Sequence, residues 1–379
     1  MNLTIVIPTY NEKDNVCVIA EKIKNVLKQS SFSYEILFVD DSSDDTPVIL
    51  DNLSHELPEV RYLHRTEARG LGSAVVEGFR LAKGDYIIVM DADLQHPPDL
   101  IPLIMKRLST ADIVIPSRFI DGGSDGGLNL FRKLVSWTAR IIGRVSIRRL
   151  RDISDCTGGY FGLCRAVIKD VSLNPIGWKI LMEVLVKGTY NTVHEIPYSF
   201  NARDAGESKM SLKEQWNYLR HILSLVSSSP EDRRFYSFCM VGSLGVLVNL
   251  AALGILLGIF KISGLGASIG ASLIAMVHNF WWNDNVTWKG FKHPVLWRRA
   301  LQFPQFVLVC GLGIAVTALF ARVFLSFGWN IYLGQFIGIA VSTYWSFLAN
   351  NRWTWSGSTC QTGNERKLVV TQEYISKLS

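Results

Sequence analysis

Carboxylates collect immediately after three short apolar runs of this chain. Leu3–Pro8 leads into Pro8-Thr-Tyr-Asn-Glu12, Tyr34–Asp40 into Asp40-Asp41-Ser-Ser-Asp44, and Asp85–Met90 into Asp91-Ala-Asp93-Leu-Gln95. If the runs are neighbouring strands, their ends converge on one rim that carries many acids and little positive charge. Such a cluster is costly unless a cation joins it. Oxygen donors favour Mg²⁺ or Mn²⁺. Asp91 and Asp93 would reach one ion and Gln95 would add a neutral amide oxygen, leaving coordination positions for a diphosphate. A cation held in that way neutralises a departing nucleoside diphosphate.

The elements that must position these groups follow from the pattern. Strands are expected at Leu3–Pro8, Tyr34–Asp40, Val60–His64, Asp85–Met90, Ile113–Ser117 and Tyr160–Cys164. Helices are expected between them at Val16–Lys28, Thr46–His55, Leu71–Ala82 and Leu100–Leu108. Alternating helices and near-continuous apolar strands argue for a mostly parallel, helix-covered sheet. Ligands bind such sheets beyond the carboxyl ends of the strands, where the acids lie.

Charge divides the chain of 379 residues, which is 48% hydrophobic and carries a formal net charge of +6. Between Phe235 and Gly357 there are seven basic residues and one acid, Asp284, so this stretch holds the whole excess. The remaining 256 residues balance at 32 basic and 32 acidic groups, which argues against a basic nucleic-acid binder. Crossing a ~30 Å hydrocarbon core takes about 20 apolar residues. Phe235–Phe260, Ile262–Asn283, Leu301–Ala321 and Val323–Asn351 are four such stretches, giving an all-α four-helix transmembrane region. Arg233, Arg234, Lys289, Lys292, Arg298, Arg299 and Arg352 fall on one side of these spans and Lys261 on the other. The positive-inside rule then puts both termini in the cytoplasm. The N-terminus, without a basic leader and long apolar run, agrees with a first domain that stays there. Six cysteines show neither metal spacing nor a disulfide framework.

This region also repeats itself. Phe238-Cys-Met-Val-Gly-Ser-Leu-Gly245 is echoed by Phe306-Val-Leu-Val-Cys-Gly-Leu-Gly313, and Asn283-Asp-Asn-Val-Thr-Trp288 by Asn350-Asn-Arg-Trp-Thr-Trp355. Two helices per unit imply parallel repeats, with the Thr-Trp pairs expected as interfacial anchors. The arrangement resembles the GtrA-like four-helix family, which is associated with lipid-linked sugar pathways.

The first domain is similar to inverting glycosyltransferases of family 2, in the polyprenyl-phosphate hexosyltransferase branch that includes dolichyl-phosphate mannose synthases. The motifs carrying the resemblance are Ile7-Pro-Thr-Tyr-Asn-Glu12, Val39-Asp-Asp41, Gly70-Leu-Gly72, Asp91-Ala-Asp-Leu-Gln95, Ser117-Arg118, and Arg203 before Gly206-Glu-Ser-Lys209. It implies a GT-A (Rossmann-like) α/β domain over residues 1–228, a GtrA-like domain over 229–357 and a cytoplasmic tail over 358–379. It also implies that Pro8, Tyr10, Glu12, Val39 and Asp41 line the nucleotide pocket, with Asp41 on the base. Asp91, Ala92, Asp93 and Gln95 would surround the metal and donor diphosphate. Arg118, Arg203 and Lys209 would supply positive charge there, and with Asp93 form the catalytic set. Ser42 and Asp45 depart from the glycine or asparagine of many relatives. Gln-x-x-Arg-Trp, a motif of processive polysaccharide synthases, is absent, which argues against chain extension.

Between Leu128 and Arg151 seven basic residues interleave with apolar ones and no acid, as in a membrane-surface segment. In the family an arginine and a serine near the start of this segment meet the acceptor phosphate together with the strand-end arginine; the corresponding residues here are Arg132, Ser136 and Arg118. A second apolar stripe, Leu212, Trp216, Leu219, Leu223 and Val226, fits either the interface or the catalytic domain. The implied activity moves a hexose, mannose from GDP-mannose or else glucose from UDP-glucose, to a polyprenyl (dolichyl) phosphate with inversion. A different class of function also fits the sequence: a lipid-carrier translocase or scaffold. The helices leave room for a homo-oligomer.

Overall fold

The computed structural model describes residues 2–66, 70–126, 130–200, 212–291, 296–356 and 369–372. The chain divides into two units, Met1–Ser229 with Arg366–Ser379, and Pro230–Glu365.

The first unit begins β1 (Asn2–Thr9), α1 (Val16–Leu27), β2 (Ser33–Asp40), α2 (Thr46–Glu56), β3 (Val60–His64), α3 (Leu71–Leu81) and β4 (Tyr86–Val89). It continues α4 (Ile101–Leu108), β5 (Ile113–Ser117), α5 (Leu130–Ser146), β6 (Phe161–Cys164), α6 (Ile180–Lys187), β7 (Thr192–Pro197) and α7 (Leu212–Ser228). One eight-stranded sheet runs β3-β2-β1-β4-β6-β5-β7-β8, where β8 is Val369–Gln372. All pairings are parallel except those of β6, which is antiparallel to both β4 and β5.

Strand alternation splits the core. Val6 of β1 enters one apolar cluster with Leu37, Val89 and Phe161, while Ile5 and Ile7 enter the other with Phe38, Ile88 and Ile104. Helices cover both faces because their apolar positions recur every three or four residues. In α1 these are Val16, Ile19, Ala20, Ile23 and Leu27, all buried. Residues 358–379, expected as a tail, supply β8, which pairs in parallel with β7 from Thr192↔Val369 to Glu195↔Gln372.

The second unit holds α8 (Pro230–Gly258), α9 (Gly264–Trp282), α10 (Leu296–Ser326) and α11 (Ile331–Ala349). Among the described residues three segments, Pro230–Gly258, Ala300–Ser326 and Ile331–Thr354, are long and apolar enough to cross a membrane, with mean hydropathies of 2.2, 2.2 and 1.3. Four are expected from the apolar stretches of the sequence. The difference is α9, whose final turns carry His278 and Asn279. Asn279 is accommodated by Gly245 of α8, where a Cβ would lie 2.1 Å from its Oδ1.

The repeat is visible in three dimensions. A single π turn follows α9 at Asn283–Thr287, and another follows α11 at Asn350–Thr354. Thr287 Oγ1 donates to Asn283 Oδ1 at 2.8 Å, and Thr354 Oγ1 to Asn350 Oδ1 at 2.7 Å. Trp288 and Trp355, expected at the interface, are instead 0% and 1% exposed and stack in parallel at 4.2 Å. Each indole N–H donates across to the other repeat, Trp288 to Asn351 at 3.1 Å and Trp355 to Asp284 at 3.2 Å. A buried indole needs such an acceptor, and the exchanged bonds satisfy both.

Candidate active site

The ends of β1, β2 and β4 lie at one edge of the sheet, as the order β2-β1-β4 with parallel pairing requires. After β1, Asn11 takes a left-handed backbone conformation (φ 57°), which asparagine tolerates better than most residues. Its N–H donates to Ser42 Oγ at 2.7 Å, and its own Oδ1 accepts from Ser43 N at 2.9 Å. Glu12 N donates to Thr46 Oγ1 at 3.1 Å. Ser42, a departure from the family pattern, therefore ties the first acidic loop to the second; its hydroxyl also donates to Asp40. Pro8 and Val39 are buried, and Tyr10 is exposed beside them.

Asp41 is more engaged than expected. The guanidinium of Arg65 pairs with both of its carboxylate oxygens, while Arg65 Nη1 donates to Ser73 Oγ at 3.2 Å. Asp40 accepts from Thr9 Oγ1 at 2.9 Å and pairs with His64 Nδ1 at 2.7 Å. Arg65 was not anticipated from sequence, although it directly follows β3 and so belongs to the same rim.

Asp91, Ala92, Asp93 and Gln95 follow β4, and Leu94 turns the loop with φ 62°. Ala92, Asp93 and Gln95 are buried, whereas the Asp91 side chain is 35% exposed. Gln95 N donates to Asp93 Oδ1 at 3.2 Å, and Asp91 N to His96 Nδ1 at 3.0 Å. His96 stacks on Tyr160 at 5.1 Å and is flanked edge-on by Tyr198 and Phe200. Gly159 closes the other side of Asp91: a Cβ there would lie 3.2 Å from Asp91 Oδ2. Among the described residues no three His, Cys, Asp or Glu side chains gather to hold an ion. Two carboxylates and an amide oxygen nevertheless form a hard donor set that fits Mg²⁺ or Mn²⁺ and leaves positions for diphosphate oxygens and water.

Arg118, directly after β5, forms a bidentate pair with Asp155, Nε to Oδ2 at 2.8 Å and Nη2 to Oδ1 at 3.2 Å. Burial works against the guanidinium charge, but Asp155 overrides it, so Arg118 is held above its ordinary range. Asp155 is set in turn by Glu195 of β7. One Glu195 oxygen accepts from Ser154 N at 2.9 Å, Ser154 Oγ at 2.6 Å and Asp155 N at 3.3 Å. The other accepts from Gln372 of β8 at 3.1 Å. Burial pushes the Glu195 carboxyl up from its usual value.

Arg203 and Lys209 lie outside the described residues, as does the side chain of Arg132. Ser136 lies on α5, whose outer face exposes Leu134, Trp137 and Val145. Trp216, Leu219 and Leu223 of α7 are likewise exposed, while Tyr218, Ile222 and Leu225 pack into the core. Three members of the second stripe therefore face outward, while its last, Val226, is buried in the core. Not every cation of the basic segment does. Arg144 donates to Arg151 O at 2.8 Å, and Arg149 to Val186 O at 2.7 Å.

An α/β sheet with this strand order and this acid-lined rim defines a GT-A-type glycosyltransferase. Residues 4–172 match the model of glycosyl transferase family 2, and residues 237–355 that of the GtrA/DPMS transmembrane domain. A dolichol-phosphate mannosyltransferase of Pyrococcus furiosus is 39% identical over 94% of this chain and 100% of the relative. One from Saccharomyces cerevisiae is 34% identical over 59% of this chain and 86% of its own. An undecaprenyl-phosphate mannosyltransferase of Micrococcus luteus is 33% identical over 56% and 88%. Among solved structures, glucosyl-3-phosphoglycerate synthase from Mycobacterium tuberculosis is similar at 16% identity and a TM-score of 0.46, over 60% of this chain and 79% of that one. The chain belongs to the family 2 glycosyltransferases that carry a GtrA/DPMS transmembrane domain.

Proposed function

We propose that this chain transfers mannose from GDP-mannose to a polyprenyl phosphate of the dolichyl type, with inversion, at the cytoplasmic face of a membrane. The observation that carries this reading is the similarity to the Pyrococcus furiosus dolichol-phosphate mannosyltransferase across that relative's entire length. The Micrococcus luteus relative, named for undecaprenyl phosphate, supports a polyprenyl phosphate as the acceptor class.

Pro8, Tyr10, Glu12 and Val39 line the nucleotide side of the rim, with the Asp41–Arg65 pair meeting the base. Asp91, Asp93 and Gln95 would hold Mg²⁺ or Mn²⁺, which when bound supplies positive charge to the departing diphosphate. A phosphate monoester loses its second proton near pH 6, so the acceptor oxygen is already a nucleophile at neutral pH and needs no base. The protein's part is then alignment and electrostatic stabilisation. Arg118, kept charged by Asp155, is assigned to the phosphates together with Arg203 and Lys209, and Arg132 and Ser136 are assigned to the acceptor.

The outward apolar faces of α5 and α7 support a catalytic unit resting on lipid. Sheet topology supports an even number of membrane crossings. β7 precedes the helices and β8 follows them, yet they pair in one sheet. A chain that leaves that side and returns to it crosses an even number of times, which supports α9 crossing along with α8, α10 and α11.

Purified full-length protein in detergent, given polyprenyl phosphate with either GDP-mannose or UDP-glucose, tests the reading. Mannolipid should form from GDP-mannose, disappear with EDTA, return with Mg²⁺ or Mn²⁺, and fall about 10²- to 10³-fold in Asp93→Ala. Product from UDP-glucose alone would reassign the donor, and no lipid-linked sugar from either would overturn the proposal.

A further inference from the structure

Three cations converge on four consecutive residues. Arg140 Nη1 donates to Ser154 O at 3.2 Å, Arg118 pairs with the Asp155 carboxylate, and Lys179 Nζ donates to Thr157 O at 3.0 Å. The Phe119 ring carries the guanidinium of Arg118 at 5.1 Å and that of Arg140 at 4.1 Å. Asp155 is the one acid of this segment, and both of its oxygens are occupied by Arg118. Arg140 and Lys179 therefore hydrogen-bond to neutral carbonyls and share Asp155 only at longer range. The other acids nearby have partners or another position: Asp125 pairs with Lys133 at 3.0 Å, Glu195 accepts backbone N–H groups behind the segment, and Asp91 lies beyond Gly159.

Two donors in this cluster have no partner. Arg140 Nε and the hydroxyl of Thr157, a residue only 3% exposed, are buried without a hydrogen bond. Buried donors left unmatched are rare, and beside surplus positive charge an anion would satisfy them. Surplus positive charge and unmatched donors together describe a site for a compact anion with several acceptor oxygens. Arg140 lies four residues after Ser136 on α5, on the same helical face. The segment continues through Gly159 to the Asp91 carboxylate. An anion held here would sit between the lipid-facing helix and the metal-side acids.

We propose that Lys179, Thr157 and Arg140 form a phosphate site that binds the acceptor's phosphate group, extending the acceptor contacts beyond Arg118, Arg132 and Ser136. This inference rests on the transferase reading above. It is tested on full-length protein by separate KM values for polyprenyl phosphate and for GDP-mannose. Losing a hydrogen bond to a charged group weakens binding about 10- to 100-fold. Lys179→Met and the near-isosteric Thr157→Val should raise the acceptor KM by about that factor and leave the donor KM unchanged. Lys179→Arg and Thr157→Ser should restore most of the loss, which a purely structural defect would not allow. An unchanged acceptor KM, or a rise confined to the donor, would overturn the proposal while the transferase reading stands. Should wild-type protein make no product, that reading fails separately. Equilibrium binding of a short-chain isoprenyl phosphate, wild type against Lys179→Met and Thr157→Val, then decides the site by the same fold-change.

Discussion

Lys179 carries a charge that its surroundings oppose. Burial, followed by the repulsion of Arg118, lowers its ammonium from an ordinary 10.5 to about 8, despite the attraction of Asp155, Cys156 and Asp91. The folded value lies below the unfolded one, so in the unliganded protein the opposition to folding is fullest below about pH 8 and fades as pH rises towards 10.5. Acceptor binding has the opposite need, since phosphate is attracted only to the protonated amine. We expect kcat/KM for polyprenyl phosphate to fall as pH rises through about 8. The acceptor's own ionisation, near pH 6, is complete by then. In Lys179→Met that limb should vanish, and a limb that persists unchanged would assign it to another group. The acids at the strand ends were legible because they are consecutive in sequence and follow apolar runs. Lys179, Asp155 and Arg65 were not, because their roles come from pairings across the fold. Arg118 meets a carboxylate 37 residues away, and no local pattern marks the partner.

At the scale of elements, the first six strands and first four helices announce themselves by period. β7 and β8 do not. Thr-Val-His-Glu-Ile-Pro breaks the alternation with His194 and Glu195 side by side, and Val-Val-Thr-Gln is too short to stand out from a polar tail. Glu195 and Gln372 explain why these strands matter, since together they brace the turn that carries Asp155. Replacing Gln372 by Leu leaves one buried Glu195 oxygen without its donor. We expect a loss of about 1–3 kcal/mol in the stability of the catalytic unit. Chemical denaturation monitored on the full-length protein checks this. Gln372→Glu, which faces one carboxyl with another, should cost more, and equal stability of all three proteins would show that β8 contributes no bracing. The apolar faces of α5 and α7 were readable as amphipathic, but which residues of α7 met the core required the fold.

Across the membrane unit, the repeat was visible as two echoed segments, yet the indoles turned out to be its centre. Sequence cannot distinguish a tryptophan that anchors at an interface from one that stacks on its repeat partner, because both end an apolar helix. Trp288→Ala or Trp355→Ala should each cost about 3–5 kcal/mol, as for large buried aromatics. Since each indole stacks on the other and they share the same hydrogen-bonded cluster, the double variant should lose clearly less than the two single losses added. Thermal unfolding in detergent measures all three, and strict additivity would rule out the coupling.

The placement of β8 has a consequence in time. Ribosomes emit a chain from its N-terminus, so seven strands of the sheet emerge before any of α8 to α11, and the eighth only after all of them. Glu195 waits for Gln372 throughout that interval. The catalytic sheet therefore cannot be finished on a nascent chain until the helical unit has been synthesised.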